Sequence, residues 1–170
     1  MRARTSFSPI QKLLIYVVGL TGVFLAPSAM AQTLETFMKI DGIPGDSTVI
    51  GHENEIVLSS YSQTFATKNC SKVVALKFVD RASPGLITAA AGNALLPSVV
   101  ITIRKPGAPP LEFFKAILGT VLIERIDLGN DTGPLVEQVV LKPRTIRIEF
   151  RPQDNRGQLL PPIVTEMTCS

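Results

Sequence analysis

Three titratable residues crowd one short stretch of this chain, His52, Glu53 and Glu55. Two carboxylates two positions apart at a strand entrance point the same way, and such a pair can do general acid–base work. Histidine is a side chain suited to proton transfer, so His52 could join such work. The surroundings favour a plainer reading, an exposed loop rim with His52 facing solvent. Nucleophilic chemistry has less to work with. Ser59 and Ser60 lack a Gly-x-Ser-x-Gly elbow, and His52 is the chain's single histidine, too little material for a hydrolase triad. Gly42-Ile43-Pro44-Gly45 is not followed by Gly-Lys-Ser/Thr, so it is not a phosphate loop. Asp127, Asn130 and Asp131 lack the spacing and closing Glu of a calcium loop. Cys70, Cys169 and the distant His52 make a poor metal set. The expectation is a non-enzyme with neither cofactor nor metal.

The chain ends narrow the class further. Arg2, Arg4 and Lys12 precede an apolar run from Leu13 to Ala26, and Ala29-Met30-Ala31 reads as a small-x-small cleavage site. That is the anatomy of a secretory signal peptide over residues 1–31. The run is short of the roughly 20 residues that span a bilayer as a helix, so no membrane anchor is expected after cleavage. Residues 32–170 then form one domain. Of 17 Lys and Arg, three go with the leader, leaving 14 against 14 acids. A domain of zero net charge lacks the basic stripe that nucleic-acid binding uses. The densest basic stretch, Lys142, Arg144, Arg147, Arg151 and Arg156, is interrupted by Glu149 and Asp154 and reads as a solvated strand face. Two cysteines behind an export leader point to a Cys70–Cys169 disulfide, with two unrelated thiols as the alternative.

Mostly strands must position these residues. Val74, Leu76 and Phe78 alternate against Val73, Ala75 and Lys77, and Ile146, Ile148 and Phe150 alternate against Thr145, Arg147, Glu149 and Arg151. Val99 to Ile103, Glu55 to Phe65, Val121 to Ile126 and Leu135 to Leu141 complete the strand set, with turn clusters at Gly42–Asn54, Lys105–Pro110, Gly129–Pro134 and Gln153–Gly157. One segment has helical period. Ser83 reads as an N-cap with Pro84 at the first helical position. Leu86, Ile87, Ala90, Ala91 and Ala94 then recur at helical spacing until Pro97. Leu111 to Leu118 is ambiguous by period alone.

Four blocks, in order, resemble the haemolysin-coregulated protein (Hcp) family: FMKIDGIPGDST from Phe37, ENEIVLSSYSQTF from Glu53, LKFVDRASPGLITAAAGNAL from Leu76, and LVEQVVLKPRTIRIEFRPQDNRG from Leu135. The resemblance implies a mainly β fold with one α-helix, a compact antiparallel β-barrel, and a strand over Leu111–Leu118. It implies a tube subunit of a type VI secretion system, assembling into hexameric rings that stack on one another. Sheath, spike and effector proteins are the partners it implies. It also makes Asp41, Gly42, Ile43, Pro44, Gly45, Asp46, Ser47, Thr48, His52 and Glu53 a projecting ring-stacking loop. The helix of Ser83, Pro84, Leu86, Ile87, Ala90, Ala91 and Ala94 would line the lumen.

The leader departs from the family pattern, because these subunits assemble in the cytoplasm without one. Either the product is secreted or periplasmic, or translation starts at Met30 and it is cytoplasmic. The competing function is an exported binding or adhesion module that keeps the fold as a monomer or small oligomer.

Overall fold

A single residue, Ser59, joins the two ends of one curled sheet. The computed structural model describes residues 33–66, 69–130 and 133–169. The chain runs β1 (Glu35–Ile40), β2 (Ile56–Leu58), β3 (Ser60–Ala66), β4 (Asn69–Phe78), α1 (Ser83–Ala91), β5 (Leu95–Lys105), β6 (Leu111–Gly129), β7 (Val136–Phe150) and β8 (Ile163–Thr168). The strand order is β2-β1-β5-β6-β7-β4-β3, with β8 also pairing β7, and every pairing is antiparallel. β2 and β3 occupy opposite ends of that order yet are consecutive in the chain. At Ser59, whose N–H donates to Leu76 O (2.8 Å), the strand leaves β1 and takes β4 as its partner. The sheet therefore curls into a barrel around Met38, Ile56, Val99, Leu118, Leu141 and Ile146, with Leu86 of α1 closing the core.

The long hairpin of β6 and β7 bends at Thr120. On β6 the buried positions are Ala116 and Leu118 before it, then Val121 and Ile123 after it. The parity facing the core changes there without an inserted residue, since the register to both neighbours is unshifted across Thr120 and β5 and β7 change parity at the same level, from Leu96 to Val99 and from Pro143 to Ile146. Thr120 takes a φ of 47°. The ladder skips it on both sides, passing from Gly119 to Val121 against β5 and against β7. Pro97, opposite it on β5, has no N–H to offer. The ambiguous Leu111–Leu118 and the expected strand Val121–Ile126 are one continuous strand that runs through Thr120. The expected strand over Leu111–Leu118 is present as the first part of β6.

Several local expectations need correction. The core face of β4 is Val73, Ala75 and Lys77, whereas Phe78 is exposed. α1 begins at Ser83 but its N-cap is Ala82, without a side-chain capping bond. The Ser83 hydroxyl turns inward instead. The helix stops at Ala91, so Ala94 lies outside it. Gly92 N donates to Thr88 O and Ala94 N to Ala89 O, while Asn93 takes a φ of 49°, a left-handed termination. Pro97 stops nothing, since it sits inside β5. β8 had no counterpart among the expected strands.

Candidate assembly site

The segment between β1 and β2 is a finger with a packed base. Gly45 N donates to Asn54 O (2.8 Å), Asn54 N to Ser47 O (2.8 Å) and Ser47 N to Glu55 O (3.0 Å), so its two arms are laced together. A Cβ on Gly45 would overlap Glu55 O and the backbone of Ile56, which makes glycine obligatory there. Arg81, in the turn between β4 and α1, braces the base from outside. Its Nε donates to Gly45 O (2.5 Å), its Nη2 to Asn54 Oδ1 (2.5 Å), and Nε lies 3.2 Å from Asp46 Oδ1. Ile43 packs on Gly85 of α1. The finger and the helix are thus positioned as one unit.

His52 is where this site departs most from expectation. It is 4% exposed rather than solvent-facing. Its ring lies on Phe37 with centroids 4.2 Å apart and planes 3° from parallel. The Arg104 guanidinium stands 5.3 Å from the same Phe37 ring and bonds Glu35 at 2.6 Å. Nδ1 of His52 is 2.8 Å from Glu55 Oε2. Its Nε2 is 3.3 Å from Glu112 Oε1, within ion-pair reach but not aligned as a hydrogen bond. Phe37 sits on the outer face of β1, so His52 seals an apolar ring that the barrel leaves outside its core. Glu53 and Glu55 do not converge: Glu53 accepts from Gly51 N (2.9 Å) at the tip, and Glu55 holds His52. The tip itself is bare, with Ile50 87% exposed.

On α1, positions that share helical spacing in the sequence divide between two faces. Ser83 and Leu86 are buried and Ala90 packs on the core. Pro84, Ile87, Thr88 and Ala91 form the exposed strip, largely apolar.

A buried charge network beneath the helix was not anticipated. Lys77 and Glu137, opposite each other on β4 and β7, are both fully buried with Nζ 2.8 Å from Oε2. Lys77 Nζ also donates to Ser83 Oγ (2.9 Å) and lies 2.8 Å from Asp80 Oδ1. The Ser83 hydroxyl donates to Glu137 Oε2 (2.5 Å). Asp80 Oδ1 in turn accepts from Ala82 N (2.9 Å), ordering the turn into α1. A serine between a lysine and a carboxylate has the parts of a nucleophile, but Ser83 is buried and its hydroxyl is engaged by Glu137 and Lys77. The network fastens α1 to the sheet.

The remaining candidates are scattered. Ser59 Oγ donates to Leu76 O, and Asp127 pairs with Arg125 at 2.6 Å; Asp131 lies outside the described residues, as do residues 1–31 and the side chain of Cys70. Among the described residues no cluster of His, Cys, Asp and Glu is arranged to hold a metal ion, and no helix is long and apolar enough to cross a membrane.

The family model described as "Type VI secretion system effector, Hcp" matches residues 37–150, a span that includes the finger, the helix and seven of the strands wholly or in part. The chain belongs to the Hcp family. Protein hcp1 of Pseudomonas aeruginosa is 24% identical over 143 residues, which is 74% of this chain and 88% of that protein. The crystal structure of Hcp1 from Salmonella typhimurium superposes with a TM-score of 0.71 at 25% identity, covering 79% of this chain and 94% of the other. A type VI secretion system effector from Yersinia pestis superposes with a TM-score of 0.70 at 24% identity, covering 78% and 98%. The curled antiparallel sheet with one helix is the fold of these Hcp structures.

Proposed function

We propose that this Hcp chain is a ring and tube subunit of a type VI secretion system. Copies close into hexameric rings, the rings stack through the finger of residues 41–55, and α1 faces the lumen. Its partners are copies of itself, with sheath, spike and effector proteins as further contacts. The observation that carries the reading is the family match across seven of the eight strands, finger and helix together. The braced finger supports a role in contact between copies, because its arms are fixed while Ile50 at its tip is left uncovered. The exposed strip of Pro84, Ile87 and Ala91 gives α1 an apolar face suited to guest chains in a lumen.

Export through a leader cleaved after Ala31 is part of the same proposal. The strand register supports a Cys70–Cys169 bridge in the exported form. β4 and β8 pair with the same edge of β7, β4 as far as Val73 against Leu141, and β8 as far as Thr168 against Thr145. Cys169 N donates to Arg144 O (2.7 Å). Continued for three more positions in the same register, the β4 ladder would bring Cys70 opposite that same Arg144.

Native mass spectrometry on protein made from the full reading frame tests the function. A hexamer is expected; a monomer at every concentration overturns the ring and leaves an exported binding module.

A further inference from the structure

On the outer side of β5, β6 and β7, where the ladders pass over Thr120, lies a cleft of about 480 Å³. Leu95, Leu122 and Pro143 line it together with Cys169, and Lys142 and Arg144 flank it. Leu95 is 56% exposed, so the apolar lining stands open. Seven cations of the described residues sit in ion pairs, Lys77 with Glu137 and Arg104 with Glu35 among them, whereas Lys39, Lys105, Lys142, Arg144, Arg151 and Arg156 have none. Lys142 and Arg144, two positions apart on one face of β7, have no ion pair among the described residues. Two of these unneutralised cations thus stand together beside an apolar cleft. The backbone beneath is held in an unusual conformation at Thr120, with φ at 47°, a feature that recurs at functional sites.

The finger tip carries the complement. Among the described residues Ile50 is the most exposed large apolar side chain, and Glu53, three residues on, is exposed with its carboxylate held beside the tip by Gly51 N. Within one copy the two cannot meet. His52 fixes the finger beside Glu112 at the start of β6, and the cleft begins eight strand positions later at Thr120, about 26 Å along the strand.

We propose that the cleft receives the finger tip of a second copy, with Ile50 on Leu95 and Leu122, and Glu53 between Lys142 and Arg144. Tip and cleft are different surfaces, so the contact is heterologous and repeats from copy to copy instead of closing on itself. The inference rests on the stacking role proposed for the finger and names the surface that the finger meets.

Sedimentation velocity and electron microscopy on K142E/R144E, on E53K and on the triple variant separate the outcomes, with circular dichroism as the folding control. The two charge-reversed proteins should give single rings, with stacks reduced at least tenfold; the triple variant should restore stacks. Leu95→Asp should lose stacks as well, independently of the charges. If K142E/R144E stacks normally while shortening Asp46–Asn54 abolishes stacks, the cleft belongs to some other acidic occupant and this proposal fails, with the ring reading intact. If the unaltered protein forms no rings, both fail together.

Discussion

His52 lies flat on Phe37, its ring 4.2 Å away and within 3° of parallel. That contact decides whether the finger is a loop or a rigid projection. Outward-facing Phe37 would meet water without it, and the Glu55 carboxylate would lose its partner. His52→Ala should therefore cost about 1–2 kcal/mol in urea unfolding, an aromatic stack plus the burial it provides. Hydrogen exchange should speed up at Ser47 and Asn54, whose amides lace the finger, while β6 keeps its protection. His52→Phe should recover most of the loss, since it keeps the stack and gives up only the Glu55 contact. Unchanged exchange in His52→Ala would mean that Arg81 alone holds the finger.

Lys77 and Glu137 are worth most when one of them is missing. Removing a single partner from a buried pair strands the other charge in the core, at a cost of about 3–5 kcal/mol. Lys77→Met should lose stability on that scale, and the double variant Lys77→Met with Glu137→Leu should recover most of it. The double-mutant cycle from denaturant unfolding reads the coupling directly. Additive losses would show that the two charges are solvated independently.

How far the sequence reaches can be judged from such residues. Phe37 to Gly157 carries enough family pattern to give the barrel, and of the alternating Ile146, Ile148 and Phe150 the two isoleucines face the core while Phe150 is exposed. The failures come where a local rule is overridden by a partner distant in the chain. Lys77 occupies a core position on β4 because Glu137, 60 residues away, neutralises it there. Ser83 gives up the capping role its position suggested because the same pair claims its hydroxyl. His52 stands in a turn-rich polar segment, so nothing near it in sequence announces Phe37 as its cover. Pro97 reads as a helix stop until Thr120 is seen opposite it. β8 was readable: Ile163, Val164 and Thr165 are β-branched, but they follow a polar, proline-containing stretch that reads as a tail.

Tyr61 supplies a spectroscopic handle on the barrel. Burial raises its phenol well above the ordinary value near 10, and its hydroxyl donates to Gln63 Oε1. The chain has two tyrosines and no tryptophan, and Tyr16 goes with the leader, so protein starting at Gln32 reports Tyr61 alone. Its folded pKa exceeds the unfolded one. The stabilising contribution is therefore complete below about pH 10 and is lost as pH rises above that towards the folded value. Phenolate absorbance should appear only together with unfolding. Titration near 10 in a protein still folded by far-ultraviolet circular dichroism would mean that water reaches the hydroxyl.

The proposed Cys70–Cys169 bridge predicts a pattern that two independent thiols cannot give. Cys70→Ser, Cys169→Ser and the double variant each break the same bond, so all three should lose the same stability. A native bridge in a small exported domain is worth about 2–5 kcal/mol, and closing a loop of about 100 residues sits toward the upper part of that range in the chain-entropy model. Reduction should bring the unaltered protein to the same level and leave the variants where they are. The loss should appear as easier detachment of β8, because Cys169 follows directly on that strand and its N–H already bonds Arg144 O. Hydrogen exchange along Ile163–Thr168 would detect that before global unfolding does. Losses that add between the two single variants, or a reduced protein as stable as the oxidised one, would establish two separate thiols.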